Sequence, residues 1–191
     1  IISEWNPKGM LFSESDPVFL ENRLPANEDG LTNININQTM SFSDNIIGSA
    51  SLVLNVANGK NFSSGQDSIS PYALRTVSTA STDSSPIVDV YRINVNTGAT
   101  YNNSANLYVR DTTAPSSSTD GAITIDGGHF NNSGNLIVGN GQGTISVTNN
   151  GHFIQSEHGT LTSTIDGSGN STKIALANNG TASLNGTLNI V

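Results

Sequence analysis

The sequence predicts an all-β chain folded as a right-handed parallel β-helix, a β-solenoid of about 6–8 coils with an N-terminal cap segment. The first observation is an internal repeat: residues 101–109 read YNNSANLYV and residues 130–138 read FNNSGNLIV, an offset of 29. The second is the alternation of apolar and polar residues in short stretches, which places Ile and Val on one face of a strand. The third is the glycine and asparagine between these stretches, because both residue types suit tight corners.

One frame recurs six times along the chain: an apolar-polar-apolar triplet, a short corner, and then a position that is aromatic in five of the six units. The triplet is predicted to form one strand, and the aromatic residue to begin the next inward-facing strand. One such unit cannot bury its apolar face alone, whereas stacked units share a continuous core. The aromatic position is assigned to Phe42, Phe62, Tyr101, Phe130, Phe153 and, in the last unit, Ala182.

Two regions follow from this reading. Residues 1–30 hold six of the fifteen acidic residues, the only tryptophan and three of the six prolines. We expect this irregular segment to cap the exposed edge of the first coil, which an open-ended stack of strands needs in order to avoid aggregation. Residues 31–191 are predicted to form the coils.

The spacing between the aromatic positions is uneven. The Ser/Thr-rich segments 78–86 and 112–120 are therefore predicted to be loop insertions at corners. The gap of 39 residues between Phe62 and Tyr101 is predicted to hold one extra coil. A β-sandwich is the alternative fold, since it also has many short strands joined by turns, but it does not explain the copied segment.

The composition excludes several classes of function. With 15 Asp and Glu against 7 Lys and Arg, the formal charge is −8, which argues against nucleic-acid binding and against docking on anionic lipid. Only 12% of the residues are charged, so we expect a surface of neutral amides and hydroxyls. The absence of cysteine excludes thiol catalysis, thiolate metal sites and disulfides. No apolar run approaches the ~20 residues of a membrane-spanning helix.

Residues 134–151, GNLIVGNGQGTISVTNNG, resemble the passenger repeats of classical bacterial autotransporters, which join a Leu/Val-rich strand, a glycine-rich corner, a Gly-Thr-Leu-Thr-Val-like strand and an Asn-Gly-Gly corner. Residues 184–190, LNGTLNI, are similar to the late coils of that family. The resemblance covers residues 90–191 well. Residues 31–89 share only the general pattern of short apolar stretches separated by Asn, Gly and Ser. It implies a passenger piece that is secreted or displayed on the surface of a Gram-negative bacterium. In the full-length protein an outer-membrane translocator barrel would export it, and the chain that begins at Ile1 would be an excised part.

The histidines and acidic residues are the candidate catalytic or metal-binding groups of this chain. His129 and His152 occupy equivalent repeat positions, so their imidazoles are expected to stack on adjacent coils, where they are either a metal or pH-sensing pair or a solvated corner pair. After residue 120 the only acids are Asp126, Glu157 and Asp166, and no motif typical of pectin-cleaving β-helices is present. We therefore assign no catalytic, cofactor-binding or metal-binding residue.

Two further groups of polar residues are given structural roles. Asp89, Arg92, Arg110 and Asp111 are expected to form a solvated ladder of opposite charges on successive coils, rather than the site of a calcium-dependent lyase. The repeated corners at 149–151 and 178–180, each Asn-Asn-Gly, are expected to stack their asparagines so that the amides satisfy one another inside the turn.

The predicted function is a non-enzymatic passenger module that mediates adhesion, self-association or binding to a host-cell surface protein or glycan. Binding would use the β-helix face and the inserted loops, with many weak polar contacts strengthened by avidity. A β-helical polysaccharide-active enzyme or tailspike fragment is one alternative, and a spacer for a distal functional domain is another. No cofactor and no nucleic acid is expected.

Overall fold

The computed structural model describes residues 2–6, 9–12, 31–42, 46–47, 51–65, 73–74, 86–110, 121–139 and 141–191. These residues form β-strands joined by turns and short irregular segments, with no helix long and apolar enough to cross a membrane. The strands in chain order are β1 (Ile2–Asn6), β2 (Gly9–Phe12), β3 (Leu31–Ile36), β4 (Met40–Phe42), β5 (Ile46–Ile47), β6 (Ser51–Val56), β7 (Asn61–Ser64), β8 (Ala73–Leu74), β9 (Ile87–Val90), β10 (Arg92–Val95), β11 (Thr100–Asn103), β12 (Asn106–Val109), β13 (Ala122–Asp126), β14 (His129–Asn132), β15 (Asn135–Val138), β16 (Thr144–Thr148), β17 (His152–Gln155), β18 (Thr160–Ser163), β19 (Lys173–Leu176), β20 (Thr181–Leu184) and β21 (Thr187–Ile190).

The strands build a right-handed parallel β-helix with three sheets, as predicted. Sheet A has the order β1-β2-β3-β6-β10-β13-β16-β19, sheet B the order β20-β17-β14-β11-β7-β4-β8, and sheet C the order β21-β18-β15-β12-β9-β5. Among the described residues, six coils each pass once through sheets A, B and C, which lies at the lower bound of the expected number.

The core is a set of inward columns that run along the solenoid. In strands β10 to β18, inward residues are buried and outward residues are at least partly exposed, because successive side chains in a strand point to opposite faces. Phe62, Tyr101, Phe130, Phe153 and Ala182 are paired in register across β7, β11, β14, β17 and β20, which confirms the repeat frame in coils two to six. The core is therefore one continuous cluster shared by all coils.

The first coil departs from the predicted frame. Met40, and not Phe42, pairs with Phe62, while Phe42 pairs with Ser64. Three residues (37–39) lie between Ile36 and Met40, whereas five (57–61) lie between Val56 and Phe62, so the shorter corner brings Met40 to the aromatic position. Met40 and Phe42 have the same parity on the strand and are both almost fully buried, and Ser41 between them is buried as well. Alternation alone could not tell which of the two occupies that position.

The predicted extra coil between Phe62 and Tyr101 is also wrong. Strand β7 pairs directly with β11, and β6 pairs directly with β10, so no coil lies between them. The additional residues leave the second coil after β7 and include β8, which pairs with β4 at the N-terminal edge of sheet B. Segment 112–120 and nearly all of segment 78–86, the two predicted loop insertions, lie outside the described residues.

The two ends of the solenoid differ. At the N-terminal end, β2 pairs in parallel with β3, and β1 pairs antiparallel with β2, so both strands extend sheet A. Residues 13–30 lie outside the described part of the chain, and a cap formed by residues 1–30 stays a prediction. At the C-terminal end, the described residues include no strand beside the outer edges of β19, β20 and β21, and inward-column residues such as Leu188 are 62% exposed.

Candidate binding surface on the sheet faces

Sheet A carries an outward column of uncharged polar residues, one from each of the first five coils. The register places Asn35, Asn55, Asn94, Thr124 and Ser146 side by side, and we call this column the sheet A ladder. All five side chains are partly exposed. They occupy the centres of the repeat triplets, where alternation turns the polar residue away from the core.

Hydrogen bonds join the asparagines of the sheet A ladder. Asn94 Nδ2 donates to Asn55 Oδ1 at 2.7 Å, and Asn55 Nδ2 donates to Asn35 Oδ1 at 3.1 Å. Each amide is thereby held in one orientation by the next coil. Since a carbonyl oxygen has two lone pairs and an amide nitrogen has two N–H groups, each asparagine keeps hydrogen-bonding capacity for a ligand.

The other two faces carry shorter versions of the same arrangement. On sheet B, Asn131 Nδ2 donates to Asn102 Oδ1 at 2.8 Å, but the column continues into Ile154, which is 39% exposed. On sheet C, Asn135 Nδ2 donates to Asn106 Oδ1 at 2.6 Å. The sheet A ladder has five uncharged polar members before its column reaches Ala175, and it is therefore longer than either of these two asparagine columns.

A second amide ladder lies inside the solenoid, at the corner between sheets B and C. Asn103 Nδ2 donates to Asn132 Oδ1 at 2.9 Å, and Asn132 Nδ2 donates to Gln155 Oε1 at 3.4 Å. All three side chains are buried. They also donate to main-chain carbonyls of the corner, including Asn132 to Thr160 and Gln155 to Thr187. We call Asn103, Asn132 and Gln155 the inner ladder. It supplies hydrogen-bond donors to main-chain carbonyl groups that point into the core.

The hydrogen bonds of the inner ladder continue toward the N-terminal coils. Ser64 Oγ donates to Asn103 Oδ1 at 3.1 Å, and the Tyr101 hydroxyl donates to Ser64 Oγ at the same distance. Burial raises the pKa of the Tyr101 phenol well above its ordinary value, and the hydrogen bond with Ser64 offsets part of that shift. Tyr101 is therefore a neutral core residue and not a candidate acid or base.

The repeated Asn-Asn-Gly segments predict amide stacking at a different corner, between sheets A and B. Asn178 Nδ2 does donate to Asn149 Oδ1 at 3.3 Å, but both asparagines are exposed on the outside of the solenoid. Asn149 and Asn150 have φ angles of 52° and 61°, and the Asn178-Asn179 pair is similar, so their turns use the left-handed region that asparagine tolerates. The buried ladder was missed, although the Asn-Asn pairs within the repeated segments carry the signal: alternation turns the second asparagine inward.

The charged residues form one of the expected pairs. Arg110 donates to both carboxylate oxygens of Asp89, at 3.2 Å from Nε and 2.8 Å from Nη2, and its guanidinium lies 4.6 Å from the Tyr108 ring centroid. Arg92 takes no part in this pair and instead lies over Tyr91, to whose hydroxyl it donates at 3.0 Å. Asp111 lies outside the described residues.

The acids after residue 120 are distributed over three corners. Asp126 accepts a hydrogen bond from Asn149 at the corner between sheets A and B. Glu157 is exposed at the corner between sheets B and C, 3.4 Å from His158, and Asp166 lies in the turn between sheets C and A. Paired-carboxylate hydrolysis requires two acids across one sugar bond, and these three acids are not placed to do this. The described residues contain no group of three or more potential metal ligands.

Asp166 organises the turn between β18 and β19. Its Oδ1 accepts hydrogen bonds from the main-chain N–H groups of Ser168 and Asn170, at 2.8 and 2.9 Å. Its Oδ2 accepts from Asn170 Nδ2 at 2.9 Å and from Gln142 Nε2 at 3.2 Å. The side-chain hydrogen bond from Asn170, followed by the main-chain bond from the same residue, lowers the pKa of Asp166 to about 2. All four bonds require an oxygen that accepts, so they stabilise the carboxylate form.

The lowered pKa predicts how the turn responds to acid. Because the folded-state pKa is below the ordinary value of 3.8, the stabilisation is complete above that value and is lost as the pH falls through about 2. We expect the amide resonances of Ser168 and Asn170 to stay in place down to about pH 3 and to move below it. Measurement by NMR, with Asp166→Asn as the variant that removes the titration, checks this. A midpoint near the ordinary aspartate value would contradict it.

The histidines behave as the repeat predicts. His129 and His152 pair in register, and their rings are stacked with centroids 4.8 Å apart and planes at 19°. Nδ1 of His152 lies 2.5 Å from the hydroxyl oxygen of Thr181. His158 is separate from this pair, in an exposed turn beside Glu157.

These features define a parallel β-helix whose outer faces carry mainly uncharged polar residues and whose described residues contain no convergent acid cluster. No protein family model matches the chain, and no curated protein or solved structure is significantly similar to it. Functional conclusions therefore depend on the surface itself.

Proposed function

We propose that this chain is a non-enzymatic passenger module of a bacterial autotransporter that acts at the cell surface or after release as an adhesive rod. The observation that carries the proposal is the sheet A ladder, a straight column of uncharged hydrogen-bonding side chains that spans five coils. Its partner would be a host-cell surface glycan or protein, or a second copy of the chain.

The physical argument is one of many weak contacts on a rigid support. A single exposed hydrogen bond contributes roughly 0.5–1.5 kcal/mol. The sheet holds the ladder amides in place before binding, so these side chains lose little conformational entropy when a partner binds. Many copies on one bacterial surface multiply these contacts by avidity. The predicted inserted loops 78–86 and 112–120 would add recognition at the edges of the rod.

Adhesion is tested with beads coated with the chain, scored for attachment to epithelial cells and for aggregation with one another. We expect wild-type beads to attach or to aggregate. Asn94→Arg combined with Thr124→Arg should reduce this by about tenfold or more, because two bulky cations interrupt the sheet A ladder on every copy. The matched control places Asn102→Arg and Asn131→Arg on sheet B and should retain the wild-type behaviour.

The remaining outcomes distinguish the alternatives. If both double variants behave like the wild type, the sheet A ladder is not the binding face. If wild-type beads neither attach nor aggregate, the adhesive function is wrong and the spacer alternative is favoured. Release of reducing ends from neutral or acidic polysaccharides by the same preparation would favour the polysaccharide-active enzyme instead.

A further inference from the structure

The outer face of sheet B holds a column that the adhesive proposal does not use. Its members are paired in register at the first position of five consecutive strands, and they are Asn61, Thr100, His129, His152 and Thr181. The two histidines lie side by side in the middle of a column of small polar residues. Because threonine occupies the same position on both sides, the fold does not require imidazole there. The stacked pair thus needs an explanation other than packing.

The geometry leaves one nitrogen of His152 available to a ligand. Its Nδ1 is engaged with Thr181 Oγ1 at 2.5 Å, so Nε2 is the nitrogen that remains for another partner. This is the usual situation of a metal-binding histidine, in which a neighbouring polar group holds one ring nitrogen and thereby orients the other. His129 is exposed, and its ring lies 4.8 Å from that of His152 between centroids.

The two rings are close enough to reach a shared metal ion after a movement of one ring. Metal–imidazole bonds are about 2.0–2.1 Å long, so two nitrogens at adjacent coordination positions of one ion lie roughly 3 Å apart. The ring centroids are 4.8 Å apart and the stacked rings direct their lone pairs side by side, so the exposed His129 ring must rotate toward His152 for both nitrogens to bind the ion. Imidazole ligands favour Cu²⁺, Ni²⁺ and Zn²⁺, whereas Ca²⁺ and Mg²⁺ prefer oxygen ligands.

We propose that His129 and His152 form a two-imidazole binding site for a divalent transition-metal ion on the outer face of sheet B, with water completing the coordination. Cu²⁺ is expected to bind most tightly, since it stands highest in the affinity order of the divalent first-row metals. The site is independent of the sheet A ladder, so it can be tested without reference to adhesion.

The test is a calorimetric titration of the whole chain with CuCl₂ at neutral pH. The same titration is carried out on the variants His129→Thr and His152→Thr. Threonine is chosen because Thr100 and Thr181 already occupy this column. We expect one tightly bound ion per chain, and a loss of affinity of about tenfold or more in each variant, because the second imidazole binds within the same molecule. His158→Thr is the matched control and should leave the affinity unchanged.

A spectroscopic measurement on the wild type does not depend on how the variants fold. Pulsed electron paramagnetic resonance of the Cu²⁺ complex should show coupling to the remote nitrogens of two imidazole rings. Coupling to a single ring, affinities that are unchanged in His129→Thr and His152→Thr, or an equal loss in His158→Thr would each overturn the proposal.

Discussion

Replacement of Phe130 by alanine is expected to lower the free energy of unfolding of the β-helix by about 4 kcal/mol, a value typical of buried phenylalanines. Phe130 is completely buried in the middle of the aromatic column. Its ring stacks on Tyr101 with centroids 4.9 Å apart and planes at 3°, and it packs against Phe153 at 5.8 Å. The variant therefore leaves a cavity between two coils and removes two aromatic contacts, each of which adds roughly 0.5–1.5 kcal/mol beyond the buried area.

Equilibrium unfolding in denaturant, monitored by circular dichroism, measures this loss. The denaturant concentrations at the midpoint are compared between variant and wild type, provided that the dependence of the unfolding free energy on denaturant is the same for both. Phe130→Leu is the control, because it keeps most of the volume and loses only the aromatic contacts; we expect a cost of about 1.5 kcal/mol. Because each coil contacts only its neighbours, a cavity in the middle of the stack weakens the coupling between the two halves. If Phe130→Ala lowers the free energy of unfolding by less than about 1 kcal/mol, the aromatic column is not a main source of the stability of the core.

Replacement of Asn132 by alanine is expected to lower the free energy of unfolding by about 3 kcal/mol, because it breaks the hydrogen bonds of the inner ladder. Asn132 is buried, and its side chain accepts from Asn103 Nδ2 and donates to Gln155 Oε1 and to the Thr160 carbonyl. The variant leaves the Gln155 and Thr160 oxygens without this donor in the interior, and each such group costs about 1–3 kcal/mol. The neighbouring Asn131, which points outward, supplies the matched control.

Asn131→Ala is expected to cost less than about 1 kcal/mol, because its hydrogen bond to Asn102 is partly exposed and water can replace the lost partner. Asn132→Leu separates volume from hydrogen bonding: it fills the space but leaves the same acceptors unpaired, and we expect a loss of about 2 kcal/mol. Denaturant unfolding of the three variants measures the difference. Equal stabilities of Asn131→Ala and Asn132→Ala would contradict the role given to the inner ladder.

The repeat made most of the coil register predictable. From the second coil onward, an aromatic residue or its equivalent marks the first inward position of sheet B, and alternation assigns the faces of the strands around it. The same equivalence predicted that His129 and His152 stack. In the first coil the prediction failed by two residues, because a period of two gives Met40 and Phe42 the same face, and only the length of the corner decides between them.

The candidate surfaces were less predictable than the fold. Alternation does place Asn94 outward and Asn103 inward, but a run of asparagine, serine and threonine does not reveal which amides will bond to each other. The corner asparagines Asn149 and Asn178 were assigned to a turn interior and lie outside, because their left-handed backbone projects them away from the core. The inner ladder formed one corner further along, where buried carbonyls required donors.

The amino-acid pattern alone predicts that the chain forms stacked β-strands, which side of most strands faces the core, and that mainly neutral polar groups lie on the outside. These properties are local, since they depend on a period of two and on residue type. The folded structure is needed to show that Asp89 pairs with Arg110 and not with Arg92, that β8 returns to the edge of β4, and which amides form the two ladders. Such contacts join residues twenty or more positions apart, and they depend on the number of residues in each intervening corner, a length that no local pattern encodes.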